Sequence, residues 1–353
     1  MVLAGDYRMK LYDIYKLVKL SVFKRYTSPW QLIHFITSRC NAKCSHCFYW
    51  ENLNQNNNEL TLEEIDKITK TLPDLYYLTI SGGEPFLRQD LAAVIKTYYK
   101  NTPLRQVVIP TNGILKQKIL KDCQDVMESC LGLKLNVGVS LDGLKDEHNR
   151  IRGVDCFDKA IDTFFALKGM FRNNKNFKTT VIATITASNQ YNFDDFYNYV
   201  ENVLKPDSFA INLIRGTPKD VTLSEINSRM YEKYLNLKMK RRNKTLRDYI
   251  DIRRSKIILQ TFNENKQVIP CVAGKIDAVL YEDGRMTPCE MLNYSIGNIR
   301  DYDYDFRAVW KSEILDHYRQ KIKCEKCFCT HECFMRTAIV FSPKEAVKAV
   351  IGW

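Results

Sequence analysis

The sequence predicts an α/β protein: a partial (β/α)6 TIM-like barrel followed by a small α+β, cysteine-rich C-terminal domain. Three observations predict it. Six apolar, β-branched stretches alternate with helical patterns from residue 31 onward. The chemically distinctive residues follow the ends of those stretches, on one side of the implied sheet. Six of the twelve cysteines lie beyond residue 268, around a hairpin turn.

The elements follow in order. Residues 6–26 space Leu11, Ile14, Leu17, Val18 and Val22 as one helical face, with Lys10, Lys16 and Lys24 interleaved. The strand candidates are LIHFIT (32–37), YYLTIS (76–81), RQVVIPT (105–111), LKLNVGVSL (133–141), TTVIATIT (179–186) and FAINLI (209–214). Between them Thr61 and Glu64 form a capping box ahead of Ile65 and Ile68. Further helices are expected near 89–100, 115–128, 157–171 and 192–203. Near-continuous apolar strands imply a parallel sheet covered on both faces. Right-handed crossovers curl such a sheet toward a barrel, whose chemistry gathers at the C-terminal strand ends. CNAKCSHC, SGGEP, TNG and SLDG fall there, as do Thr186, Asn189, Arg215 and Gly216.

Residues 218–268 read as basic and helical. Asp283–Gly284 turns a hairpin between DAVLYE and RMTPCE, and Ser342-Pro343-Lys344-Glu345 opens a last short helix. The expected division is 1–30 (amphipathic helix), 31–217 (barrel), 218–268 (basic connector) and 269–353 (cysteine-rich domain).

The formal net charge of +12 is concentrated around 215–256. A solvated helix face accounts for it, and a surface for nucleic acid, acidic peptide or anionic lipid is the sharper alternative. No nucleic-acid motif accompanies the charge, so no nucleic-acid partner is expected. No apolar run reaches membrane-spanning length, and the N-terminus lacks a signal-peptide pattern. A cytoplasmic location with reduced thiols is expected.

Cys40, Cys44 and Cys47 stand at C-x3-C-x2-C. Thiolates select zinc or iron–sulfur clusters. A structural zinc site is closed by four ligands, and His46, one residue from Cys47, is poorly placed to be the fourth. A cubane held by three thiolates leaves one iron open for substrate or cofactor.

Together with Gly82-Gly83-Glu84-Pro85 after the second strand and SLDG after the fourth, this spacing resembles the radical S-adenosylmethionine (radical SAM) superfamily over about 31–216. The resemblance implies a [4Fe–4S] cluster on Cys40, Cys44 and Cys47, with S-adenosylmethionine chelated at the open iron. Reductive cleavage would then give a 5′-deoxyadenosyl radical that abstracts a substrate hydrogen atom. It also implies a reductant protein such as flavodoxin or ferredoxin. Gly82 and Gly83 would admit the methionine portion, Glu84 would accept its ammonium, and Pro85 completes the motif. Ser140 and Asp142 would meet the ribose or methionine, unless they only bond locally within a turn. Arg152 would fork onto the carboxylate, a surface salt bridge being the alternative. Asn112 and Leu213 or Arg215 would lie near the nucleoside, and His46 would pack beside the cluster.

Cys271, Gly284 and Cys289, followed by CEKCFCTHEC, resemble the SPASM or twitch extension that holds auxiliary clusters. Thr337 stands where a further cysteine is expected. One auxiliary cluster on Cys271, Cys289, Cys324 and Cys327 is favoured, with Cys329 or Cys333 as substitutes or as ligands of a partial second site. Cys123, Cys130 and Cys156 read as ordinary buried thiols. The implied reaction is a net oxidation, a dehydrogenation or cross-link, of a peptide or small polar molecule. The 39 residues before Cys40 are expected to be too few for a leader-binding domain, and no region suits a cobalamin domain. A zinc-holding, non-catalytic basic module is the alternative from another class.

Overall fold

In the computed structural model, which describes residues 27–55, 58–240 and 245–351, the six apolar stretches become six parallel strands. They are β1 (Gln31–Phe35), β2 (Tyr77–Ser81), β3 (Gln106–Thr111), β4 (Lys134–Ser140), β5 (Phe177–Ile185) and β6 (Ser208–Leu213). Each pairs with its sequence neighbour, as in Gln31↔Tyr77 and Leu135↔Phe177. Helices cross over between them: α1 (Leu62–Thr69), α2 (Leu91–Asn101), α3 (Lys116–Ser129), α4 (Lys145–Arg152), α5 (Phe157–Met170) and α6 (Phe193–Tyr199). The amphipathic stretch 6–26 lies outside the described residues.

Local chemistry explains the boundaries. Thr61 Oγ1 accepts from Glu64 N at 3.2 Å and Glu64 Oε2 accepts from Thr61 N at 2.8 Å, so the capping box forms. Helix α4 was not anticipated. Its sequence KDEHNRIR is nearly all polar, yet it ends on Gly153 in the left-handed conformation, φ 65°.

The strands are not covered evenly. In β3 and β6 buried residues alternate with half-buried ones. Val107 and Ile109 pack outward into the helix-covered core, while Gln106, Val108, Ser208, Ala210 and Asn212 line an interior cavity. The expectation of continuous burial on both faces therefore fails on the concave side, because β6 has no partner beyond β5 and the sheet stays open.

The chain then forms α7 (Arg229–Lys240) and α8 (Leu246–Glu264), followed by a hairpin of β7 (Asp277–Leu280) and β8 (Arg285–Thr287) and a short β9 (Gly297–Asn298). β7 pairs parallel with β1, Gln31↔Asp277, so the strand order is β6-β5-β4-β3-β2-β1-β7-β8-β9. The cysteine-rich segment thus extends the main sheet. Gly284 turns the hairpin at φ 88°. Helices α9 (Phe306–Trp310), α10 (Glu313–Cys324), α11 (Glu332–Val340) and α12 (Pro343–Ile351) complete the described chain, with α11 and α12 against α8. Among the described residues, no helix is long and apolar enough to cross a membrane.

Candidate active site

The three-cysteine loop leaves β1 alongside the turn that leaves β2. Ile36 N donates to Ser81 O, Gly83 N to Thr37 O and Glu84 N to Arg39 O, at 2.8–2.9 Å. A Cβ on Gly82 would stand 2.4 Å from Thr37 O, and one on Gly83 2.1 Å from Arg39 O. Gly82 also has φ +114°. These glycines are therefore required by the cysteine loop itself, a reason the sequence did not suggest. The loop is held elsewhere by Cys40 N to Asn54 Oδ1 (2.9 Å), Lys43 N to Arg152 O (2.9 Å) and Lys219 N to Cys47 O (3.1 Å).

The three thiols are close together: Cys44 and Cys47 both act on Cys40, and Cys44 acts on Cys47. Burial pushes Cys40 up to about 12 and Cys47 up to about 11. All three line one cleft of about 220 Å³. The same cleft is lined by Gly82, Gly83, Glu84, Asn112, Ser140, Arg152, Leu213 and Arg215. Pro85 starts a short 3-10 turn away from it. Glu84 accepts from Thr111 Oγ1 (2.8 Å), Asn112 N (2.7 Å) and Phe86 N (3.3 Å), while burial pushes its carboxyl up to about 7. Asn112 donates through Nδ2 to Asn41 Oδ1 at 2.7 Å.

Asp142 departs from its expected role. It is fully buried behind the cleft, pairs with Arg152 Nη2 at 2.7 Å and accepts from Thr184 N at 2.9 Å. The SLDG turn therefore supplies a counter-ion for Arg152, with Ser140 alone of that pair on the cleft wall. Arg152 is correspondingly buried, and its Nη1 donates to Cys44 Sγ at 3.7 Å. The surface-salt-bridge alternative fails for it. His46 lies 3.9 Å from Asp142 Oδ2, and burial lowers its imidazole to about 4, so it is neutral.

The second cysteine group differs from the favoured set. All six pairings of Cys271, Cys289, Cys327 and Cys329 are close enough to influence one another, Cys271 and Cys327 most strongly. Cys324 is exposed at the end of α10. Cys333 is half-buried beside Glu332 and Arg215, which respectively raise and lower its thiol, and desolvation pushes the thiol up. Cys329, one of the substitutes the sequence allowed, stands with Cys271, Cys289 and Cys327 because Lys326 turns the chain at φ 49° and Cys327 N bonds back to Ile322 O. Cys123 and Cys130 are buried in the main core away from both groups, whereas Cys156 is buried beside His148 at 3.3 Å and close enough to feel Arg152 and Cys44.

Two connections between the groups carry no sequence motif. Phe35, Tyr49 and Tyr281 pack together at centroid distances of 4.7–5.9 Å, the two tyrosines stacked and Phe35 tilted against both, in an apolar cluster that also touches Cys47, Cys271, Cys289 and Cys327. Tyr49 Oη donates to Glu282 at 2.8 Å. Arg215, on the cleft wall, pairs with Glu332 and with Glu290 at 3.2 Å, and Glu290 also binds His331. These acids adjoin Cys333 and Cys289 in sequence but pair only across the fold, so periodicity could not reveal them.

The donor sets suit clusters better than single ions. Tetrahedral zinc at about 2.3 Å would draw its sulfurs to roughly 3.8 Å apart. Among the described residues, only His331, Glu332 and Cys333 gather three ligand atoms within 4.8 Å, and Arg215 already binds Glu332 there. The cleft also suits a polar, charged cofactor: Arg152 Nε, Arg215 Nε and His46 Nδ1 are buried on its wall without hydrogen-bond partners.

An open parallel barrel with three thiols at its mouth, and four more gathered in the loops that flank the β7–β8 hairpin and follow α10, defines a protein built for iron–sulfur chemistry. Comparison with known proteins agrees. The Radical SAM superfamily matches residues 35–202, and an iron-sulfur cluster-binding domain, SPASM, matches 271–333. The chain belongs to the radical SAM superfamily and carries a SPASM domain. Such domains use a [4Fe–4S] cluster with S-adenosylmethionine, and auxiliary iron–sulfur clusters. An AdoMet-dependent heme synthase of Oleidesulfovibrio alaskensis is 24% identical over 326 residues, 84% of this chain and 80% of that one. Fe-coproporphyrin III synthase of Methanosarcina barkeri is 30% identical over 148 residues, and a GTP 3′,8-cyclase of Clostridium perfringens 26% over 203. These two alignments cover 41% and 54% of this chain, and only 34% and 58% of the relatives. In fold, Streptococcus suis SuiB bound to S-adenosylmethionine superposes with TM-score 0.63 at 16% identity, covering 89% of this chain and 73% of SuiB. AdoMet-bound anSMEcpe gives 0.57 at 21% identity, covering 85% and 86%.

Proposed function

We propose that this radical SAM enzyme performs a net oxidation, a dehydrogenation or cross-link, of a peptide or small polar molecule. The observation that carries the reading is the mutual proximity of Cys271, Cys289, Cys327 and Cys329, joined to the three-cysteine cleft by one packed aromatic cluster. When bound, the clusters and S-adenosylmethionine supply homolytic hydrogen abstraction and a sink for the second electron.

Cys40, Cys44 and Cys47 would hold the first cluster, and the four later thiols the auxiliary one. Gly82 and Gly83 keep the first loop against β2. Glu84, fixed by three donors, offers its carboxyl beside the methionine position, and Asn112, Ser140 and Leu213 line the remainder. Arg152 is held by Asp142 and presents a free Nε, suited to a carboxylate. Phe48 and Leu53 help exclude water from the cleft. A one-electron donor protein such as flavodoxin or ferredoxin is the expected reductant.

Both substrate classes have precedent. SuiB is described bound to precursor peptide SuiA and anSMEcpe with Cp18Cys peptide, whereas relatives are named heme synthase and GTP cyclase. Anaerobic assay of Cys271→Ala tests the reading. S-adenosylmethionine cleavage should persist while substrate oxidation stops; loss of both in a folded protein would make the second group structural.

A further inference from the structure

The open interior of the barrel is the larger cavity, about 750 Å³, against about 220 Å³ for the cysteine cleft. It is lined at the N-terminal strand ends and by α7, α8 and α11, and Asn212 lines both cavities. Six cationic side chains border it: Lys134, Lys175, Lys178, Lys238, Arg254 and Arg336. Among the described residues only two carboxylates do, Asp251 and Glu332, and Glu332 is already paired with Arg215.

We propose that this interior is a binding chamber for a small molecule bearing two or more anionic oxygen groups, carboxylate or phosphate. That ligand being the substrate rests on the oxidative reading; the chamber itself does not. Lys238 is 8% exposed although it belongs to the basic connector, where a solvated face was expected. Arg254 is also turned inward, against Asp251 at 3.2 Å. Burying cations is costly, and Asp251 beside Arg254 and Asp248 near Lys238 offset part of that cost. Lys134 and Lys175 stand exposed at the rim while Lys238, Arg254 and Arg336 lie deeper, and this excess of cations over carboxylates lining a concavity favours a polyanion. Two buried donors face no protein partner, Arg254 Nε and Gln31 Nε2. The volume matches that of small-molecule sites, and the junction at Asn212 sets a bound ligand beside the cysteine cleft.

Titration calorimetry on the cluster-loaded full chain tests this, with tripolyphosphate and citrate as probes at constant ionic strength. Saturable one-to-one binding is expected for at least one probe, the preferred one identifying phosphate or carboxylate chemistry. Lys238→Gln and Arg254→Gln should each weaken it about tenfold or more, while the exposed Lys159→Gln leaves it unchanged. Lys238→Gln keeps the Arg254–Asp251 pair, so it decides the matter should Arg254→Gln unfold. No saturable binding, or equal weakening in Lys159→Gln, would overturn the proposal. Iron, sulfide and S-adenosylmethionine cleavage measured on the same samples report separately on the oxidative reading.

Discussion

Asp142 and Arg152 show how one buried pair can organise a reactive loop. The guanidinium faces Cys44, and the carboxylate, held low by Arg152 despite burial, fixes it from behind. Asp142→Asn keeps the shape and leaves a buried cation without a counter-ion. We expect a loss of roughly 3–5 kcal/mol, measured by urea unfolding. His34 carries a pH dependence. It is fully buried on β1, meets Tyr98 Oη at 3.0 Å, and burial, helped by Arg88, lowers it to about 3. Between pH 6.5 and 3 the unfolded chain binds a proton there that the folded chain refuses. Stability from the neutral imidazole is full above pH 6.5 and declines as pH falls, by about 1.4 kcal/mol per unit. Unfolding between pH 6.5 and 5 should show that slope reduced by this amount in His34→Phe. The Arg152–Asp142 pairing could not be read from sequence spacing because it depends on α4, a helix without an apolar stripe, and the environment of His34 could not because its partner Tyr98 lies on a helix 64 residues away.

At the scale of elements, the six strands and their crossovers were legible because β-branched runs and helical periods alternate cleanly. Helix α4 was not, since its stability comes from its termini and neighbours rather than an apolar stripe. The C-terminal thiols illustrate the same limit. Cys324-x2-Cys327-x5-Cys333 satisfies a spacing pattern, yet α10 leaves Cys324 exposed and the turn at Lys326 brings Cys327 and Cys329 toward Cys271 and Cys289. Cys324→Ser should retain both clusters, whereas Cys329→Ser should lose about four irons per chain. Iron quantitation after anaerobic reconstitution distinguishes them.

At the scale of the whole molecule, the parallel pairing of β7 with β1 anchors the loops that carry the two cysteine groups to one sheet. That continuity sets the aromatic cluster of Phe35, Tyr49 and Tyr281 between them. It also leaves the barrel open on its concave side, where alternating half-buried residues define a chamber. The sequence displayed both cysteine groups and the end of the sheet they occupy, but not this continuity, because strand pairing across more than two hundred residues leaves no local pattern. The most direct test of the account is joint iron, sulfide and zinc analysis of anaerobically reconstituted protein. About eight irons and eight sulfides per chain, without zinc, are expected for two cubanes. Stoichiometric zinc with no sulfide would contradict the account.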